Sequence, residues 1–299
     1  MSRHVSEKSF HLAGIVPVAG QPLDFGCPWH DCLTPVAPSY LAVERAVVEC
    51  AYAGCETIWI VCNDDMQPLI RYRLGDIIYD PVSLARNYSP TPGDQRRPIT
   101  IFYVPIHPKD RDKRDCLSWS VLHGAVSSYH VCRTISKWVS PDRYYVAFPY
   151  GVYEPSQLRS HRAQISSKKD FFLSHLGKTV RDGEYLGFTF DFEGYKRYRD
   201  TVRKEGTGMR KPGQETELPK ENLPLEERWS ARFFSLDKVF GSARIEDGKT
   251  IDVDWYHSID GWKKYCEYMG SVDSCSLERP SKHILAFRQW NPIGVNNDD

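Results

Sequence analysis

Apolar residues in the first half of the chain alternate between continuous runs and helix-like spacings. The continuous runs, which predict buried strands, lie at 12–18, 57–62, 99–105 and 144–149. After the first run, apolar residues recur about every 3.6 positions over 41–51, with Ser39 placed as the cap of that helix and Gly54 as its terminator. Further helices are expected near 66–74 and over 118–138.

The alternation of strand and helix predicts an α/β fold with a mixed, mostly parallel sheet flanked by helices. In such sheets, ligands bind at the carboxyl ends of the strands. Weaker patterns in the second half predict two strands and a closing helix, at 186–192, 229–235 and 261–268. Between the two strands, 204–228 has few large apolar residues, which predicts a flexible insertion, a lid or an arm that binds a protein partner. We expect one domain over 1–271 and a C-terminal extension over 272–299.

Charge and composition exclude several function classes. The 299 residues include 39 Lys+Arg and 39 Asp+Glu, so no global field attracts phosphate backbones and a nucleic-acid partner is not expected. No apolar stretch approaches the roughly 20 residues of a spanning helix, and the first residues lack a signal-peptide core. We therefore expect no membrane contact and a place in the cytoplasm, of a host cell if the chain is virus-encoded. Nine irregularly spaced cysteines predict buried thiols rather than a disulfide framework.

Several stretches, in order, resemble the sugar-phosphate nucleotidyltransferases, or nucleotide-sugar pyrophosphorylases. They are GIVPVAG at 14–20, LTPV at 33–36, VERA at 43–46, AGCETIWIV at 53–61, CLSWSVLHGA at 116–125, YYVAFPYGVY at 144–153 and WYHSIDGWKKY at 255–265. The family has an Ala-Gly signature loop after its first strand, a helix that ends in Ala-Gly, and a later strand that ends in Gly-Asp. The resemblance runs from about residue 12 to 270 and implies a GT-A-like, Rossmann-type fold.

The resemblance also implies a nucleotide or nucleotide-sugar ligand and Mg²⁺ as the possible cofactor. In the family, backbone N–H groups of a glycine-rich turn approach a nucleoside triphosphate, and two acidic residues hold the metal while a sugar phosphate displaces pyrophosphate. The corresponding nucleotide-binding positions in this chain are Ala19, Gly20, Gln21, Ser118 and Trp119. Asp64, which follows the second strand, is a further candidate for nucleotide binding. Trp119 has two interpretations, a stacking platform for a base or a core residue.

The charged positions of the family motif carry different residues in this chain. Pro22 stands at the second glycine and removes one N–H group, and Asp24 stands where the family has arginine. The place of the catalytic lysine falls on Asp31 or its neighbour Cys32. At a few ångströms and an effective dielectric of about 20, each such reversal turns several kcal/mol of attraction into comparable repulsion. The family's catalytic positions therefore fall on Asp24 and Asp31, and no catalytic residue is assigned.

The two metal-binding positions of the family also differ. Gly151 stands where the first metal aspartate ends its strand, and Ser258 stands at the second. If the alignment gap in this segment is moved, Asp254 or Asp260 falls at the second metal position. These two residues are the candidate metal ligands in this sequence. The residues that differ from the family are thus those at its catalytic and metal-binding positions, whereas the small and apolar residues of its scaffold are retained.

Two other groups of residues have a functional and a structural interpretation. Cys27, His30 and Cys32 have the residue types of a zinc site, although their spacing fits a loop packed over the sheet end better. Tyrosines and arginines alternate over 195–203, as in a nucleic-acid-binding face or an ordinary helix surface, and the neutral total charge favours the latter.

Three functions remain open on sequence alone. The first is a divergent nucleotidyltransferase-like protein that binds a nucleotide or nucleotide sugar, with altered or absent catalysis. The second is a scaffold or partner-binding protein that retains only the fold, and the third is a metal-dependent glycosyltransferase. Fold alone does not decide among them.

Overall fold

A computed structural model of the chain describes residues 10–20, 30–86, 98–107, 116–135, 140–208, 234–245, 248–280 and 284–285. The strands are β1 Leu12–Pro17, β2 Pro35–Ala37, β3 Tyr40–Leu41, β4 Thr57–Cys62, β5 Ile77–Tyr79, β6 Pro98–Pro105, β7 Arg143–Val146, β8 Gly151–Val152, β9 Phe171–Ser174, β10 Phe188–Phe190, β11 Lys249–Asp252 and β12 His257–Ser258. The α-helices are α1 Ala42–Ala53, α2 Gln67–Leu74, α3 Pro81–Arg86, α4 Leu117–His130, α5 Arg162–Ile165, α6 Phe192–Gly208, α7 Leu236–Phe240, α8 Trp262–Met269 and α9 Asp273–Ser276.

Eight strands form one sheet in the order β11-β9-β10-β7-β1-β4-β6-β5. Strand β1 is parallel to β4 and β7, and β4 is parallel to β6, whereas β5 and β10 run antiparallel to their neighbours. This is the mixed, mostly parallel sheet that the sequence predicts. Its central strands are buried on both faces, which is why they read as continuous apolar runs.

Helices pack against both faces of the sheet and enclose two apolar cores. Helix α1 lies in one core, and α4 lies in the other with α6 and α7. Gly124 lets α4 approach the sheet closely, because a Cβ atom there would lie 2.8 Å from the side chains of Ile15 and Val61. Among the described residues, no helix is long and apolar enough to cross a membrane.

The predicted start of α1 is wrong, whereas its end is confirmed. Ser39 does not cap the helix, because it has a φ of 57° in the turn between β2 and β3. The carboxylate of Glu44 instead accepts a hydrogen bond from the backbone N–H of Leu41, at 2.9 Å. Gly54 ends the helix with a φ of 93°, a left-handed conformation that glycine adopts without strain.

Several other predicted elements are present with different bounds. Strands β7 and β10 are shorter than predicted, and the long α-helix ends at His130 before a π-helical turn. Helix α6 includes the first five residues of 204–228, and the rest of that insertion lies outside the described residues. Positions 229–233 of the predicted strand also lie outside them, and Phe234 and Ser235 are not in a strand.

The cysteine prediction is mostly confirmed in the described residues. Eight cysteines are free thiols there, and six of them are buried. Cys266 and Cys275 are exposed, which the prediction of buried thiols missed. Both lie on the short C-terminal helices, at positions that do not face a core.

Candidate functional site

The carboxyl end of β1 is joined to β4 by backbone hydrogen bonds and to α4 by a serine side chain. The N–H groups of Val18 and Ala19 both donate to the carbonyl oxygen of Val61, at 2.9 and 2.8 Å. The Ser120 hydroxyl donates to the carbonyl oxygen of Ala19. Both backbone polar groups of Ala19 are therefore engaged within the fold, so a ligand contact there would involve its methyl group.

Gly20 lies against the first residue of α4. A Cβ atom at Gly20 would lie 3.3 Å from the backbone nitrogen of Leu117, a contact tighter than most side chains make. This approach brings the signature loop to the N-terminus of a 14-residue helix, where partial positive charge favours anions. The next loop residues, including Gln21 and Asp24, lie outside the described residues, so their roles stay predictions.

Ser118 and Trp119 stand at the start of α4, beside Gly20. Ser118 is fully buried, and its hydroxyl has no hydrogen-bond partner among the described residues. Trp119 is only 8 % exposed and packs in the same core as Ala19, which favours the packing interpretation over a stacking platform. The Ser118 hydroxyl thus has unused hydrogen-bonding capacity.

Asp64 lies at the same edge of the sheet, in the turn that follows β4. Its side chain is exposed, as is that of Asp65. The Asp65 carboxylate accepts a hydrogen bond from the N–H of Met66 at 3.1 Å, just before α2. The structure thus brings five predicted nucleotide-binding residues to one edge. Ala19, Gly20, Ser118 and Trp119 lie together, and Asp64 follows the neighbouring strand.

The position that the resemblance assigns to a lysine is a buried acidic one. Asp31 is 3 % exposed and begins a short 3-10 helix. Burial lowers the pKa of the adjacent His30, against the opposing effect of Asp31 and Asp65. Burial also raises the pKa of Cys32 well above its usual value, and Cys62 and Asp31 add to the rise.

Burial disfavours the thiolate form of Cys32, which is the form that binds zinc. Among the described residues, no three His, Cys, Asp or Glu side chains are grouped as a metal site requires. Cys27, the remaining member of the suggested zinc set, lies outside them. The described residues therefore favour a packed loop here.

The two metal positions implied by the resemblance lie directly opposite each other. Gly151 on β8 is the antiparallel register partner of Ser258 on β12. Residues paired in this way have Cα atoms about 4.5–5.5 Å apart, close enough for two side chains to share one ion. The fold thus brings the two positions together, but it carries no carboxylate at either.

The space beside Gly151 is filled by backbone. A Cβ atom at Gly151 would lie 1.9 Å from the carbonyl oxygen of Tyr185, so no side chain fits there without movement of that segment. Tyr185 is held in place, because its N–H donates to the Tyr256 hydroxyl at 2.9 Å and its ring packs edge-on against Phe148 and Tyr150. The place of the first metal carboxylate is closed.

Of the two alternative metal ligands, Asp260 already has a cationic partner for its carboxylate. Asp260 forms an ion pair with Lys264 at 2.7 Å. Asp254 is exposed, and its backbone N–H donates to Gln157 at 3.4 Å. With Gly151 and Ser258 lacking carboxylates, the described residues do not fit a resident Mg²⁺ at these positions.

A buried ionic network behind this edge was missed by the sequence analysis. Arg45 and Glu49 on α1 are fully buried and form an ion pair at 2.9 Å. Arg45 also donates to the carbonyl oxygen of Phe148 at 2.7 Å, and the Tyr145 hydroxyl donates to Glu49 at 2.7 Å. Burial alone would lower the pKa of Arg45, but the Glu49 carboxylate beside it raises that pKa overall. This network positions the segment that leads from β7 to Gly151.

The signal for that network was present in the sequence. Apart from Glu44, Arg45 and Glu49, the residues of α1 before Tyr52 are apolar, and Arg45 and Glu49 are four positions apart. Opposite charges at that spacing on an otherwise apolar helix predict a buried pair.

Comparisons with known proteins support the fold. No protein-family model matches the chain, and no curated protein matches it in sequence. A structure described as a glucose-1-phosphate thymidylyltransferase from Bacillus anthracis is similar, with a TM-score of 0.51 and 8 % identity over 91 % of this chain and 98 % of the other. A UDP-glucose pyrophosphorylase complexed with UDP-glucose has a TM-score of 0.50 and 12 % identity, over 87 % and 97 %. The chain therefore has a nucleotidyltransferase-like α/β fold of the GT-A-like type.

Proposed function

We propose that this chain binds a nucleotide or nucleotide sugar at the carboxyl edge of its sheet and does not carry out metal-dependent nucleotidyl transfer. The observation that carries the proposal is the pairing of Gly151 with Ser258. Those positions correspond to the metal-binding aspartates of the family that the sequence resembles. Neither residue has a carboxylate, and the carbonyl group of Tyr185 fills the space beside Gly151.

Ligand binding is supported by the other half of the same edge. Gly20 keeps the close approach to α4 that a backbone contact with phosphate needs. The buried Ser118 hydroxyl has no partner among the described residues, and a ligand polar group would satisfy it. Asp64 is exposed nearby, where its carboxylate can accept a hydrogen bond from a ribose hydroxyl.

In this proposal, Mg²⁺ is not held by protein carboxylates. A Mg²⁺ ion that accompanies a nucleoside triphosphate is coordinated mainly by the phosphates and water, as is common for this ion. The buried Asp31, at the position of the family's lysine, further disfavours stabilisation of a transferring phosphoryl group.

The test follows pyrophosphate release and thermal unfolding in one experiment. Purified protein is incubated with each nucleoside triphosphate, Mg²⁺ and a pool of sugar 1-phosphates. We expect at least one nucleotide to raise the melting temperature, because binding to the native state stabilises it, and no pyrophosphate above a protein-free blank. Turnover would refute the loss of transfer, and the absence of any thermal shift would refute nucleotide binding.

A further inference from the structure

A charged cleft lies at the opposite edge of the sheet from the candidate nucleotide site. Arg143 begins β7, Asp170 precedes the parallel strand β9, and Asp191 follows the antiparallel β10, so all three lie at the amino edge. The cleft has a volume of about 440 Å³. Five cationic and three acidic side chains line it: Arg143, Lys168, Lys169, Arg197 and Arg244, with Asp170, Asp191 and Glu193.

The three carboxylates already have partners. Asp170 accepts a hydrogen bond from Arg143. Asp191 accepts one from the N–H of Gly194 at 2.7 Å and so caps the first turn of α6. Glu193 pairs with Lys196 at 2.7 Å, and Lys196 is not part of the cleft lining. Five cationic and three acidic side chains leave the lining with a formal net charge of +2.

The cations of the cleft keep unused hydrogen-bonding capacity. Lys168, Lys169 and Arg244 are exposed and form no ion pair with any described residue. The Nε atoms of Arg143 and Arg197 are buried and have no hydrogen-bond partner among the described residues. The side chain of Arg143 is only 4 % exposed, which makes it a fixed charge at the floor of the cleft.

Helix α6 explains how this charge is presented. The alternation of tyrosines and arginines over 195–203 places Tyr195 and Tyr198 in the core, 5 % and 0 % exposed. Arg197 lies between them and lines the cleft. The pattern therefore combines packing on one side with a cationic side chain directed to the cleft.

We propose that this cleft binds the phosphate group of a small phosphorylated molecule. Three guanidinium groups and two lysines around one cavity match the several oxygens and the double charge of a phosphate ester. The cavity is within the roughly 300–1,000 Å³ of small-molecule sites. A long polyanion fits less well, because a chain with no net charge creates no global field that attracts phosphate backbones.

The test measures binding of inorganic phosphate and of glucose 1-phosphate by calorimetry, at constant ionic strength set with chloride. We expect at least one of them to bind, and the double variant Arg197→Gln, Arg244→Gln to bind it at least tenfold more weakly. The matched control, Lys178→Gln with Lys263→Gln, removes the same charge from exposed positions outside the cleft and should leave the affinity unchanged. Circular dichroism and melting temperature verify that each variant is folded.

Two outcomes of the experiment with the charge variants would overturn the inference. One is that neither phosphate compound binds, and the other is that both double variants lose the same affinity, which would indicate only bulk charge. Ser118→Ala separates this site from the candidate nucleotide site, because it should leave phosphate affinity unchanged. A loss of phosphate affinity in that variant would place the anion at the other edge and also contradict the inference.

Discussion

Gly151 and Ser258 face each other as register partners of β8 and β12. The resemblance assigns the two residues to one metal site, although they are far apart in the chain. This pairing is the arrangement that the assignment requires. Under the proposed function, it brings together two positions that both lack the family's carboxylate.

Gly151→Ala tests whether the place of the metal carboxylate is closed. The added Cβ would lie 1.9 Å from the carbonyl oxygen of Tyr185. We expect a loss of about 3 kcal/mol or more in the free energy of unfolding, because backbone must move to accept the methyl group. Urea unfolding measures this change.

Gly261→Ala is the control for that substitution. A Cβ atom at Gly261 would have no atom within 4 Å, and its φ of −163° suits any residue. We expect a cost below about 1 kcal/mol, mainly from the change of helix cap. Equal stability of the Gly151 and Gly261 variants would show that the space beside Gly151 is open.

Tyr145→Phe tests the buried network behind the edge. The variant removes a hydrogen bond of 2.7 Å to the fully buried Glu49 and leaves that carboxylate with less compensation. We expect a loss of about 1–3 kcal/mol in unfolding free energy. Tyr72→Phe, at a side chain that is 65 % exposed, should change it by no more than about 0.5 kcal/mol. If the two variants lose the same unfolding free energy, the Tyr145 hydroxyl does not stabilise the buried Glu49 carboxylate.

Asp80 and Arg162 predict a pH dependence of stability. Burial would raise the pKa of Asp80, but hydrogen bonds from Arg162 at 2.6 and 2.9 Å outweigh it and lower the pKa overall. The stabilising contribution is therefore complete above the unfolded value of about 3.9 and is lost as the pH falls through the lower folded value.

Asp80→Asn should cost about 2 kcal/mol at pH 7, less than a fully buried pair because Arg162 is 21 % exposed. Urea unfolding at pH 5 and pH 3 should then show a smaller acid loss in the variant than in the wild type. Asp76→Asn, in the exposed pair with Arg71, should leave the acid loss unchanged. An identical acid loss in wild type and Asp80→Asn would refute the assignment.

Ser118→Ala separates ligand binding from stability. Since the Ser118 hydroxyl has no partner among the described residues, its removal should leave the unfolding free energy unchanged or slightly higher. Nucleotide affinity should fall about five- to tenfold, the value of one hydrogen bond. Ser128→Ala on the same helix loses a bond of 2.9 Å to Ala125 and should weaken stability instead, with unchanged affinity. The reverse pattern would exclude Ser118 from the site.

Much of the fold could be predicted from the sequence, because its central strands are parallel and buried and so appear as apolar runs. Strand β11 could not, since three of its four residues are exposed and its apolar pattern is weak. The absence of a carboxylate at Gly151 was visible in the sequence. The closure of that space by Tyr185 was not, because it depends on a long-range backbone approach that no local pattern encodes.

Phosphorus NMR tests the central claim most directly, because one spectrum reports both binding and transfer. The protein, at a concentration similar to that of the nucleotide, is mixed with Mg²⁺, glucose 1-phosphate and each nucleoside triphosphate in turn. The account predicts that the resonances of at least one triphosphate broaden or shift while no pyrophosphate signal grows over hours. Growth of pyrophosphate together with a sugar nucleotide, or triphosphate resonances that stay identical to those of the protein-free sample, would contradict it.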